Sequence, residues 1–175
     1  MSVLDLYTEL RRIAEALDAG GIPYALAGGL AVSIYTTPRA TEDIDLLIAR
    51  GDLDRAVSAL QPAGFRPAGR PMPVAGGRLV SALQPAGFRP AGRPMPVAGG
   101  RLEIQRLTKI EGTDLLPLDL LIPTDPALTA LIADRASLSV EGRQVQVIGL
   151  AALRTLKRLR GSALDRADLE ALGPE

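Results

Sequence analysis

The stretch Thr41-Glu42-Asp43-Ile44-Asp45-Leu46-Leu47-Ile48, behind the turn Ala27-Gly28-Gly29-Leu30, decides the fold. Side chains two apart on a strand point the same way, so Asp43, Asp45 and Leu47 share one face while Ile44, Leu46 and Ile48 share the other. Two carboxylates therefore project side by side from the end of a strand whose opposite face is buried. Such neighbours repel each other unless a proton or a cation lies between them, and an oxygen-only donor set suits Mg²⁺ or Mn²⁺. Asp119 is the sole charge in the apolar run Leu116-Pro117-Leu118-Asp119-Leu120-Leu121-Ile122. It is either a costly burial or a ligand, and the want of a third oxygen donor beside Asp43 and Asp45 favours the ligand.

Upstream of that strand, residues 3–19 carry Val3, Leu6, Tyr7, Leu10, Ile13, Ala14 and Leu17 at helical spacing, and Gly20-Gly21 follows where a helix ends. Residues 22–27 read as a short buried strand, and residues 30–35 as a short helix. A strand, a Gly-Gly turn and a helix start offer backbone N–H groups at a place open to close approach, as phosphate cradles do; the alternative is a tight turn packed under a neighbour. The loop over residues 36–42 brings Thr41 and one guanidinium, Arg39, beside the carboxylates. Arg39 either holds a phosphate or pairs with Glu42.

Downstream, Asp52 is placed to cap a helix over residues 53–60. Residues 101–110 and 116–122 read as an antiparallel hairpin about the turn Glu111-Gly112-Thr113-Asp114. Asp125 caps a helix expected to run through Ala136, with Pro126 at its first position. Residues 139–141 and 144–148 form a small hairpin about Gly142, residues 150–159 a helix, and Ser162 to Asp165 a capping-box start for a last helix to Leu172.

Residues 57–79 read VSALQPAGFRPAGRPMPVAGGRL, and residues 80–102 repeat them without a change. Repeat architectures need three or more units, and old repeats drift, so an identical pair reads as a recent insertion into a working domain. One copy's worth is expected to fill the fold, with the surplus in the middle, from about Pro67 to Arg89. There the run Arg78-Leu79-Val80-Ser81-Ala82-Leu83 is apolar enough to serve as an exchanged element in a homodimer.

Composition narrows the chemistry. A chain of 175 residues, 47% of them hydrophobic, supports one globular domain over residues 1–175. With neither cysteine nor histidine, disulfides, thiolate metal sites, histidine bases and Ser-His triads are excluded. The 20 basic and 20 acidic residues cancel, so no global basic field points to nucleic acid. The amphipathic start and the lack of any run of about 18 apolar residues lead us to expect a cytoplasmic protein without a membrane span.

Ala27-Gly28-Gly29, Asp43-Ile44-Asp45 and a third strand-borne carboxylate, Asp119, resemble the signature of the DNA polymerase beta-like nucleotidyltransferases. The stretch from Gly28 to Ile48 with Arg39 and Thr41, together with Lys157 and Asp165-Arg166-Ala167-Asp168, is similar to the AbiEii-type nucleotidyltransferase-like proteins of bacterial toxin-antitoxin and abortive-infection systems. The resemblance implies an α/β (α+β) fold, a mixed β-sheet flanked by helices, in which Asp43, Asp45 and Asp119 bind two divalent ions. Gly28, Gly29, Arg39 and Thr41 would hold the triphosphate of an NTP, with Lys157 on a phosphate unless it pairs with Asp165. An acceptor hydroxyl of RNA or protein would attack the α-phosphorus, Asp119 serving the ion that activates it, and an antitoxin would be a partner.

A competing reading from another class is a catalytically silent relative that uses the same pocket to bind a nucleotide or the same surface to bind a partner. The two differ in geometry. Catalysis needs three carboxylates converging on a cation, whereas an Asp119 turned away, or an arginine in the metal's place, suits the silent module.

Overall fold

The computed structural model describes residues 4–68 and 93–174. Helix α1, Leu6–Ala19, starts at Asp5, whose carboxylate accepts from the Thr8 N–H at 2.8 Å, and buries Leu10, Ile13, Ala14 and Leu17 along one stripe. Strand β1, Tyr24–Ala27, runs directly into helix α2, Gly28–Tyr35, so both glycines belong to the helix's first turn and the helix begins earlier than residue 30. Strand β2, Ile44–Ile48, is buried at every position. The expectation of one open face therefore holds only where Asp43 precedes the strand, and Leu47 is covered as fully as Ile44.

Helix α3, Leu53–Leu60, follows a short 3₁₀ turn. Asp52 stands at its N-cap, yet its carboxylate accepts from Arg55 Nη1 at 2.7 Å rather than from the helix's own N–H groups. Strands β3, Arg66–Pro67, and β4, Met95–Val97, both pair antiparallel with β5, Leu102–Glu111, against Leu107-Thr108 and Leu102-Glu103-Ile104 respectively. The first copy of the repeat thus supplies the second half of α3 and all of β3 to the fold, and the second supplies β4 and the first residue of β5. The expected swapped element at residues 78–83 and most of the expected surplus lie outside the described residues.

The hairpin of β5 with β6, Asp114–Pro123, is as expected, with Ile110 facing Leu115 and Leu107 facing Leu118. After it the expected long helix fails. Asp125 does cap, accepting from the Leu128 N–H at 2.9 Å, but helix α4 covers only Pro126–Thr129 and a 3₁₀ turn ends at Ile132. Residues 135–136 instead open strand β7, Arg135–Val140, which pairs with β8, Arg143–Ile148, over its whole length. The six-rung ladder, closed by the Gly149 N–H on the Asp134 carbonyl at 2.6 Å, outweighs the helix propensity of Ala133-Asp134-Arg135-Ala136.

Helices α5, Leu150–Arg160, and α6, Ala163–Ala171, close the described chain, α6 with the expected capping box between Ser162 and Asp165. The sheet runs β3-β5-β6-β2-β1-β8-β7, with β4 beside β3 on β5. β2 pairs parallel with β6 and β1 parallel with β8, the remaining pairs being antiparallel, which makes the sheet mixed. Helix α1 lies against α3 and β8, and α2 against β1, β2 and α5. Helices thus flank the sheet and bury its centre. No helix among the described residues is long and apolar enough to cross a membrane.

Candidate active site

Strand register assembles the site. Ala27 faces Asp45, Asp45 faces Asp119, and Asp119 faces Arg106, so four neighbouring strands place these residues in one lateral row. Asp43 sits at the mouth of β2, and one carboxylate oxygen from each of Asp43, Asp45 and Asp119 lies within 4.8 Å of the others. Among the described residues this is the one acidic cluster arranged so that it could hold a metal. Asp45 and Asp119 are only 5% and 3% exposed, which makes three unbalanced charges costly there.

The electrostatics show that cost. Burial, and next the Asp43 charge, push the Asp45 carboxyl up to about 7, with Asp119 adding to the rise and Arg160 and Lys157 opposing it. Asp119 has a countercharge of its own: Arg106 Nε and Nη2 donate to its two carboxylate oxygens, each at 2.7 Å. The hydrogen bond from Arg106 to Asp119 is the main cause holding that guanidinium's pKa above its ordinary value. Arg106 was not singled out from the sequence, although the register could have shown it. A hairpin closed at Glu111 and Asp114 must set Arg106 opposite Asp119.

Gly28 and Gly29 are required by what touches them. Gly28 has φ of +62°, and a β-carbon there would lie 1.8 Å from Asp45 Oδ2. A β-carbon at Gly29 would lie 2.8 Å from Thr41 Oγ1 and 3.0 Å from Arg39 Nη2. The turn is thus packed under the site's own side chains, and α2 starts there without a side-chain cap on its first N–H groups. Thr41 Oγ1 donates to Asp43 Oδ1 at 3.1 Å, which fixes the carboxylate at the strand mouth.

Arg39 does not pair with Glu42. Its Nη2 donates to Asp168 Oδ2 at 2.9 Å and its Nε lies 2.9 Å from Oδ1. Lys157 is 4% exposed and lies beneath, with Nζ 3.0 Å from Asp165 Oδ1 and 2.7 Å from Asp168 Oδ2, so the alternative pairing with Asp165 is present. Burial alone would raise the Asp165 carboxyl, but hydrogen bonds from Ser162 and Lys157 outweigh it and hold the group below its ordinary value. The structure brings Asp43, Asp45, Asp119, Gly28, Gly29, Arg39 and Thr41 together, and places Lys157 in the layer that supports them.

A family model described as an uncharacterised nucleotidyltransferase matches residues 2–153. A candidate nucleotidyltransferase of Thermotoga maritima superposes with a TM-score of 0.57 at 10% identity, over 92% of this chain and 87% of that one. An antigenic nucleotidyltransferase-like protein of Paracoccidioides brasiliensis gives 0.56 at 20%, over 98% and 75%. ANT(2'')-Ia, in complex with adenylyl-2''-tobramycin, gives 0.54 at 14%, over 95% and 86%. At these identities the likeness is one of fold. No curated protein sequence matches the chain.

Proposed function

We propose, from the premise that this chain belongs to the nucleotidyltransferase family whose model spans residues 2–153, that it transfers NMP from an NTP to a hydroxyl of RNA or protein. The observation that carries the reading is the convergence within 4.8 Å of Asp43 and Asp45 at the start of β2 with Asp119 in the middle of the parallel neighbour β6. Three hard oxygen donors, one with its carboxyl pushed up to about 7 by burial and by the neighbouring Asp43 charge, fit Mg²⁺ or Mn²⁺. Bound there, such an ion would offset the charge of the triphosphate and polarise its phosphoryl oxygens.

The chain's own residues do the positioning. The first N–H groups of α2 at Gly28-Gly29, with Arg39 and Thr41, receive the phosphates. The acceptor oxygen forms a bond to the α-phosphorus as the bond to the bridging oxygen breaks; pyrophosphate carries off the electron pair, and the acceptor's proton goes to solvent. Arg106 fixes the orientation of Asp119 beside this centre. The similarity of residues 28–48, Lys157 and Asp165 to Asp168 to AbiEii-type proteins supports a growth-arresting role restrained by an antitoxin.

One observation favours the silent module: both oxygens of Asp119 are already held by Arg106. The deciding assay incubates the chain with Mg²⁺ and each α-phosphate-labelled NTP, adding total RNA, lysate protein, or the antibiotics tobramycin and lincomycin as acceptors. The proposal expects label on RNA or protein, and none with Asp45→Asn. Label on an antibiotic alone would change the acceptor class, and nucleotide bound without transfer to any acceptor would establish the module.

A further inference from the structure

A second charged layer lies behind the carboxylates. Asp168 on α6 is 3% exposed, and its Oδ2 is shared between Lys157 Nζ at 2.7 Å and Arg39 Nη2 at 2.9 Å. Asp165, one turn earlier, takes the other contact of Lys157 and is fastened by Ser162 Oγ at 2.7 Å. The buried side chains of Lys157, Asp165 and Asp168 thus form a chain of alternating charge that runs out to the loop carrying Arg39, with Arg160 Nε 3.9 Å from Asp165 Oδ2 at its inner end. The outer guanidinium lies against Gly29, whose missing side chain leaves room for it. Asp168 accepts from Nη2 and pairs by charge with Nε, which is buried without a hydrogen-bond partner, Ala40 carbonyl accepts from Nη1 at 3.2 Å, and the remaining Nη N–H groups are left for another acceptor.

We infer that Asp168 is a positioning residue that holds the Arg39 guanidinium over the Gly28-Gly29 turn for contact with the nucleotide's phosphates. The inference rests on the functional reading above and gives α6 a task in it. A bare arginine on an exposed loop loses rotamer freedom on meeting a phosphate, whereas one already clamped has lost it beforehand. The burial of Asp168 makes the clamp stiff, because its second cation, Lys157, is itself fixed by Asp165.

Charge alone and anchoring predict opposite signs. Asp168→Asn removes a negative charge near the phosphate site, which by charge alone tightens anion binding; loss of the anchor weakens it. The test is calorimetric titration of the full chain with Mg²⁺-tripolyphosphate, which needs no choice of base, alongside Mn²⁺ alone. We expect Asp168→Asn to weaken tripolyphosphate roughly tenfold while leaving Mn²⁺ affinity unchanged, with Asp168→Glu restoring most of the loss. Arg39→Lys, which keeps the charge but not the fork and leaves the buried layer intact, should show the same loss. In an Arg39→Ala background, Asp168→Asn should add nothing. Unchanged or tighter tripolyphosphate binding in Asp168→Asn and Arg39→Lys overturns the anchor alone, whereas failure of the unaltered chain to bind Mn²⁺ or tripolyphosphate overturns the functional reading with it.

Discussion

Asp45 carries the strongest pH dependence in the site. Its carboxyl is raised from an ordinary value of 3.8 to about 7, so the folded chain holds a proton that the unfolded chain has lost. The stability this contributes is fully present below about pH 4, declines as pH rises through about 7, and is gone above it. Asp45→Asn carries no such charge. In chelator it should therefore be more stable than the unaltered chain at pH 8, by on the order of a few kcal/mol, with the gap closing towards pH 5. Parallel pH profiles in thermal denaturation would show that Asp45 ionises freely. Gly28→Ala meets both a φ of +62° and the Asp45 carboxylate, and should cost at least about 2 kcal/mol in urea unfolding. A cost near zero would mean the turn can move away from Asp45.

The β5–β6 hairpin ties the site to the rest of the sheet. One face of β5 gives Arg106 to Asp119, and further along Lys109 is buried with Nζ 2.9 Å from Glu9 Oε2 on α1 and 3.1 Å from Glu111 Oε1. Lys109→Met leaves Glu9 buried with only Arg12, 2.7 Å away, and should cost about 3 kcal/mol; Glu9→Leu with Lys109→Met should recover most of it. If the double variant is no better than the single one, the pair does not act as a unit. These elements also show what the sequence can tell. Period-two patterning and the turn at residues 111–114 were enough to read the hairpin, and Asp43, Asp45 and Asp119 followed from their place on strands. Patterning at residues 133–136 misled because helix propensity is local, while the β7–β8 ladder that overrides it depends on a partner strand. The contact between Arg39 and Asp168 spans 129 positions and left no local trace.

At the scale of the whole molecule, the described residues take 57–68 from the first repeat copy and 93–102 from the second. Removing residues 80–102 or residues 70–92 gives the same 152-residue sequence, since the copies are identical. That product keeps a residue of the right type at every described position, and β3 and β4 already lie in succession along β5, with the Ala68 N–H on the Arg106 carbonyl and Met95 facing Ile104, so the two ends that the shortened connection joins are close along one strand. We propose that the shortened chain folds as a single domain with an equal or higher Tm; an unfolded product would make the duplication structural. The central claim, that Asp43 and Asp45 at the start of β2 and Asp119 within β6 form a divalent-ion site, is tested most directly by titrating Mn²⁺ into the chain at pH 8 and following the free ion by electron paramagnetic resonance. The account predicts that the unaltered chain takes up Mn²⁺, more strongly with NTP present, and that Asp45→Asn, still folded, does not. No uptake by the unaltered chain, or equal uptake by Asp45→Asn, would contradict it.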